Sequence, residues 1–232
     1  MCVRDAREKV VMRLDLDALR SDVRHLGVAR TLLRSTYYRL NALLGVRLYE
    51  FITLEVEDLN AVLLAREVPY ECRMLEPDEA RRFAAEPESG MSVAFADKAL
   101  ATGGLCFGIL DGDTLASMGW YAKVPTPVLR TTWVTFEPAY WYMYQGYTRA
   151  AYRGQNLHGI GLVRACKELC ARGAAGIVTL AEAVNFASLD SAHRAGYRSR
   201  GRALVVPIGD RRFVLQTRTP ERYGLRLTTR KP

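Results

Sequence analysis

The segment Tyr140–Leu162, YWYMYQGYTRAAYRGQNLHGIGL, constrains the fold more than any other stretch of this chain. Aromatic residues dominate Tyr140 to Tyr147, which suits a strand. Thr148 to Gln155 is polar and carries a glycine, and from Leu157 to Arg172 apolar residues return at helical spacing. A strand that passes through a short polar turn into a helix leaves the helix's first N–H groups unpaired, at the positive end of its dipole. That arrangement is an anion site suited to a pyrophosphate, and Arg153 adds a formal charge beside it.

The elements around this segment read as a mixed α/β chain. Tyr70–Leu75 reads as a strand, and Glu76-Pro77-Asp78 opens a helix with its acids in the first turn. Leu105–Leu110 and Thr114–Tyr121, joined by Asp111-Gly112-Asp113, predict a hairpin. Thr131–Phe136 and Tyr140–Tyr147 read as a second hairpin-like pair. Beyond the loop come a helix to Arg172, a strand Gly176–Ala183, a helix Phe186–Ala195, and strands near Ala203–Ile208 and Arg212–Gln216. Residues 1–68 are expected to form an N-terminal helical extension, residues 69–218 the main domain, and residues 219–232 a basic tail.

Within the extension the helical pattern runs from about Leu16 to Leu44, broken near Gly27, with Leu26, Ala29, Leu33, Tyr37, Leu40 and Leu44 on one stripe. Arg24, Arg30, Arg34, Arg39 and Arg47 accompany it, with no acid from Val23 to Tyr49. Such a helix packs on a domain with its arginines in water, or meets an anionic membrane surface. The net charge of +8 is concentrated late: residues 198–232 hold 10 Lys/Arg against 2 Asp/Glu. A block of this kind attracts anions such as nucleic acid, lipid, an acidic carrier protein or a phosphorylated cofactor.

No stretch has the roughly 18–20 uncharged apolar residues of a membrane span, and the opening MCVRDAREKVVMRLD is too charged for a secretory signal, so a cytoplasmic location is expected. The five cysteines are scattered and without paired CxxC motifs, which argues for reduced thiols and no metal centre. Cys166 and Cys170, four apart on a helix, read as packing residues.

On these residues the chain resembles the GNAT superfamily of acyl-CoA-dependent N-acyltransferases. Tyr152-Arg153-Gly154-Gln155 matches the opening of its phosphate-loop signature, Arg/Gln-x-x-Gly-x-Gly/Ala, with Asn156 and His158 at the two later small positions. Asn185 through Gly196-Tyr197 looks like the family's later motif: an Asn after the fifth strand, a helix, and a closing Gly-aromatic pair. The resemblance covers about residues 70–217. It implies a GNAT-like, mostly antiparallel central sheet flanked by helices, and an acyl-CoA donor, most simply acetyl-CoA, transferring to a primary amine in a ternary complex.

It also implies roles residue by residue. Gly146, Tyr147 and Thr148 fall at the strand end that supplies backbone donors to the thioester carbonyl. Arg153, Gly154, Gln155, Asn156, Leu157, His158 and Gly159 form the phosphate loop, with the His158 ring as a cationic phosphate contact or a cap of the turn. Asn185 and Ser188 contact the pantetheine arm. The helix tyrosine that protonates the leaving thiolate in the family is replaced by Ala192, which leaves Ser191 and His193 as the nearest polar side chains. Glu182, at the end of the fifth strand, is the expected base. Tyr144, with Tyr142, is expected on the strand face of Gly146, lining the acceptor pocket or relaying a proton.

Two other readings compete. An acyl carrier protein could be the donor, as in the autoinducer-synthase-like and N-acyl amino acid synthase branch, which the Asn156 and His158 replacements and the basic segments suit. The fold could instead serve as a catalytically inactive binding or regulatory module. Nucleic acid is a poor fit, since Phe213 and Tyr223 are the only aromatic platforms among the late arginines.

Overall fold

The computed structural model describes Val23, Leu26 and residues 27–232. Of the expected helix Leu16–Leu44 only the part before Val23 falls outside these residues, as do Cys2, Arg24 and His25. In chain order the helices are α1 (Val28–Leu44), α2 (Ala61–Ala65), α3 (Pro77–Ala84), α4 (Val93–Ala101), α5 (Leu157–Ala171) and α6 (Phe186–Ala195). The strands are β1 (Arg47–Leu54), β2 (Glu71–Met74), β3 (Leu105–Asp111), β4 (Thr114–Ala122), β5 (Thr126–Leu129), β6 (Thr132–Thr135), β7 (Tyr140–Thr148), β8 (Gly176–Glu182), β9 (Arg198–Ile208), β10 (Arg211–Gln216) and β11 (Arg226–Thr228).

An eight-stranded sheet in the order β10-β9-β1-β8-β7-β4-β3-β2 organises the molecule. Its neighbours are antiparallel except β7 and β8, which α5 links as a parallel crossover. One face packs on α5 and α6 through Ile52, Leu54, Phe107, Ile160, Val163, Leu169 and Ile177. The other is covered in two places. α3 and α4 bury Phe83 and Trp120, and a three-stranded sheet, β11-β6-β5, closes over Tyr49, Phe51, Tyr140 and Val178.

Local chemistry explains the element ends near the site. α3 starts at a capping box, where Glu76 and Glu79 satisfy each other's backbone amides, with Pro77 at the first position. α6 is capped by Asn185, whose side chain accepts from the Ser188 amide at 3.3 Å, and it stops at Gly196, with φ 112°. A Cβ at Gly196 would stand 1.9 Å from the Asp58 carbonyl, so only glycine fits both the backbone and the space.

Three expectations are corrected. Residues 1–68 are not one helical extension, because β1 lies at the middle of the large sheet, hydrogen-bonded to β8 and β9. Arg47–Leu54, RLYEFITL, is apolar and β-branched and is nearly all buried, a pattern that reads as strand in its own right. Residues 219–232 are not a solvated tail: Tyr223, Leu225 and Leu227 are buried, and β11 pairs with β6. The stretch before β7 does not form a hairpin with it, because β6 pairs with β5 and β11 while β7 pairs with β4 and β8.

Candidate active site

The site is built where β7 and β8 part. Their pairing runs from Tyr140–Gly176 to Met143–Thr179 and ends there, with the Thr179 hydroxyl donating to the Met143 carbonyl at 2.6 Å. β7 goes on to Thr148 and β8 to Glu182, each held on its outer edge by β4 and β1. β7 thus continues past the end of its pairing with β8, beside the loop that opens α5. The otherwise antiparallel sheet flanked by helices is the one that the resemblance implies, and its one parallel pair splays with the glycine loop and α5 between its members. The fold is GNAT-like.

A bulge modifies β7 at this point. Trp120 pairs with Gln145 and Tyr121 with Met143, which leaves Tyr144 extra. The side-chain alternation therefore resets. Tyr142 and Tyr144 stack at 6.2 Å and 16° on the face carrying α4 and the small sheet, and Tyr144 also meets Phe95 at 5.8 Å. Gly146 turns to the opposite face, where a Cβ would stand 2.7 Å from the His158 ring and 2.8 Å from the Met143 methyl. The expectation that Tyr144 and Gly146 share a face is thereby corrected. Burial pushes the Tyr144 hydroxyl well up from its ordinary value, so it remains a neutral donor at physiological pH.

The loop has the form of an anion cradle. Asn156 takes the left-handed conformation, φ 62° and ψ 25°, alone among the described non-glycine residues. It occupies the first of the two family positions that are normally small. Its side chain lies over Gly159, where a Cβ would be 2.8 Å from the Asn156 oxygen. The first hydrogen bond of α5 is Ile160 N–H to Asn156 O, and no side chain caps the helix. The backbone N–H groups from Gly154 to Gly159 consequently have no partner within the described residues.

Neighbouring side chains hold this loop in place. The Tyr152 hydroxyl donates to Asp111 and the Tyr70 hydroxyl to Gln155, both at 2.8 Å, and the two rings meet edge-on at 5.9 Å. Thr148 and Ser117 hydroxyls lie 2.8 Å apart, and the Tyr147 ring packs over Gly90. Arg153 is exposed, with its Nε donating to the Thr148 carbonyl at 3.2 Å. Arg149, by contrast, is turned inward to Glu86 and the Leu115 carbonyl.

His158 departs from the expected cationic role. Its ring turns under Gly146 into a small cavity lined by Met118, Gly119, Tyr121, Met143 and Leu162, and burial lowers its affinity for a proton. It can meet a phosphate through its backbone amide only.

Glu182 lies at the parted end of β8, across from Tyr49, and its carboxylate is gripped by Arg47. Tyr49 is 4% exposed, and among the described residues neither its hydroxyl nor Arg212 Nη1 has a hydrogen-bond partner. The Tyr37 hydroxyl accepts from the Leu48 amide at 2.9 Å. Sequence reasoning missed Arg47, Tyr49 and Tyr37 because it counted residues 1–68 as outside the sheet. Reading RLYEFITL as a strand would have placed the first two.

On α6, Ala192 is buried and the expected polar substitutes diverge. His193 is exposed, with its Nε2 3.8 Å from Glu50 of β1. Ser191 is half-buried. Asn185 is committed to its cap, with Ser188 as the capped residue. Among the described residues no group of three His, Cys, Asp or Glu side chains is arranged for a metal ion.

No protein-family model and no curated protein matches the chain. Solved structures with a similar outline include an acetyltransferase from the GNAT family of Colwellia psychrerythraea (15% identity over 72% of this chain and 60% of that one, TM-score 0.48). Others are a GCN5-related N-acetyltransferase of Sphaerobacter thermophilus (15%, 72% and 54%, TM-score 0.49) and a GCN5-related N-acetyltransferase-like protein of Streptococcus suis (16%, 72% and 65%, TM-score 0.45). The chain thus spans less than two thirds of the length of each. None of the three is described as an autoinducer synthase, and at these identities none bears on the reaction of this chain.

Proposed function

We propose that this chain is an N-acyltransferase of the GNAT type that moves an acyl group, most simply acetyl, from a coenzyme A thioester to a primary amine by direct attack in a ternary complex. The observation that carries this reading is one adjacency: six successive unpartnered backbone N–H groups stand beside the point where β7 and β8 part. The coenzyme, when bound, supplies an activated carbonyl. The chain does the rest.

The amides of Gly154–Gly159, with Arg153, hold a pyrophosphate. The stretch of β7 from Gly146 to Thr148, past the end of its pairing with β8, directs backbone donors at the carbonyl, an oxyanion contact. Asn185 and Ser188 border the path of the carrier arm. Glu182, fixed by Arg47, takes the proton of the incoming ammonium directly or through one water. Ser191 is better placed than His193 to meet a departing thiolate, since His193 faces Glu50. A thiol of ordinary acidity, with a pKa of about 8.5, also leaves without help.

Thiol release with acetyl-CoA and a panel of primary amines tests the reading, and turnover with at least one amine is expected. Silence with acetyl-CoA alongside turnover on acyl-carrier-protein thioesters would transfer the donor assignment to the carrier. Silence with both donors would leave a binding module.

A further inference from the structure

α1 is amphipathic the wrong way round for a helix that only packs on its own domain. Val28, Leu32, Leu33, Leu40, Leu43 and Leu44 are 49–81% exposed, and Thr31 is its only buried residue. At about 100° per residue these six fall in one sector of the helix circumference. Arg30, Thr31 and Tyr37 turn the other way, toward the domain. Thr31 bonds to Gly27, Arg30 reaches Asp190 at 2.8 Å and lies over Phe186, and Tyr37 bonds to Leu48.

The exposed surface continues past the helix. Gly45, which ends α1, is packed on Pro207, where a Cβ would lie 2.9 Å away. The β9–β10 hairpin that follows Pro207 exposes Ile208, Phe213 and Leu215. Of the thirteen exposed large apolar side chains among the described residues, six are on α1 and three on this hairpin. An apolar surface of this extent marks an interaction site.

Charge selects the partner. No acid occurs between Val23 and Tyr49, and Arg39 is exposed within the apolar sector. A second copy docked face to face on this surface would bury Arg39 against apolar side chains and a like charge with no acid to pair it, at a cost from desolvation. An anionic lipid surface meets both requirements: acyl chains for the leucines and headgroup charge for Arg39.

We propose that the outward face of α1, with the β9–β10 hairpin, docks this protein on an anionic lipid bilayer. The position of α1 gives the docking a use. It spans from α6, through the Arg30–Asp190 pair, to Tyr37, whose hydroxyl holds the Leu48 amide next to Arg47, the residue that grips Glu182. A docked helix therefore holds the parted end of β8 at the membrane interface and points to an amphipathic amine resident there as acceptor. This last step rests on the acyltransferase reading. The docking itself does not.

Flotation of the full chain with vesicles of pure phosphatidylcholine, and of phosphatidylcholine with phosphatidylglycerol, tests the docking without turnover. Binding to the anionic vesicles is expected, lowered by salt, and weakened more than about tenfold in L40E/L43E, whose two leucines would otherwise each bury a side chain. Because both leucines are exposed, this variant should keep the wild-type melting temperature and its transfer rate to a water-soluble amine. Equal binding to neutral vesicles, binding unaffected by L40E/L43E, no binding to either composition, or a dimer that L43E splits would each overturn the proposal.

Discussion

At the scale of single residues, the carrier loop depends on one unusual backbone. Asn156 is left-handed, a conformation that costs most side chains about 1–2 kcal/mol and glycine nothing. Asn156→Gly should therefore preserve the KM for acyl-CoA, while Asn156→Ala should raise it several-fold and lower the melting temperature, as steady-state kinetics and thermal unfolding would show. Gly146 is constrained from outside rather than by its own dihedrals. An added methyl meets the His158 ring and the Met143 methyl, so Gly146→Ala should cost about 1–3 kcal/mol in urea unfolding and displace the β7 edge that faces the donor.

His158 itself gives a pH signature. Burial lowers its folded-state pKa below its unfolded value, so the unfolded chain binds more protons between the two. The stability from the neutral ring is complete above about pH 6.5 and declines as pH falls toward the folded-state value. Urea midpoints should fall from pH 7.5 to pH 5, and His158→Phe should flatten that part of the slope. Glu182→Gln should lower kcat by about 10²-fold or more with little change in donor affinity. An unaltered kcat removes Glu182 from the mechanism.

At the scale of elements, the strand β1 governs what counts as the domain. A chain beginning at residue 69 would expose β8 and β9 to solvent along both edges that β1 now pairs. It should show no cooperative unfolding transition and should be digested rapidly by protease. At the other end, Tyr223 is fully buried beneath the small sheet, against Tyr140 at 5.3 Å. Tyr223→Ala should cost about 3–5 kcal/mol, a loss that a solvated tail could not produce.

Legibility followed the range of the interactions involved. The β3–β4 hairpin, α5, β8 and α6 lie within a residue or two of their sequence-based bounds, because turn glycines, an Asn cap and helical spacing are local signals. The pairings of β1 with β8 and β9, and of β6 with β11, were illegible, because they are decided by contacts across roughly ninety residues or more that leave no local mark. The loop of the site was located from sequence but its chemistry was not. Which way His158 and Gly146 point depends on a one-residue bulge at Tyr144.

At the scale of the whole molecule, the positive charge concentrated in residues 198–232 is distributed over β9, β10, β11 and the segments that link and follow them. Much of it is spent internally, with Arg200 and Arg222 near Glu55, Arg198 on Asp58 and Arg202 near Glu50. The central place of β1 also has a consequence in time. As the chain leaves the ribosome, β1 emerges more than a hundred residues before either of its neighbours, and its mainly apolar side chains must wait for them. The β3–β4 hairpin can close early, but the second half of the large sheet cannot assemble until β8 and β9 have been made. Folding of this protein therefore ends near where its sequence begins, and until then the stretch most exposed to mispairing is the one that completes the sheet.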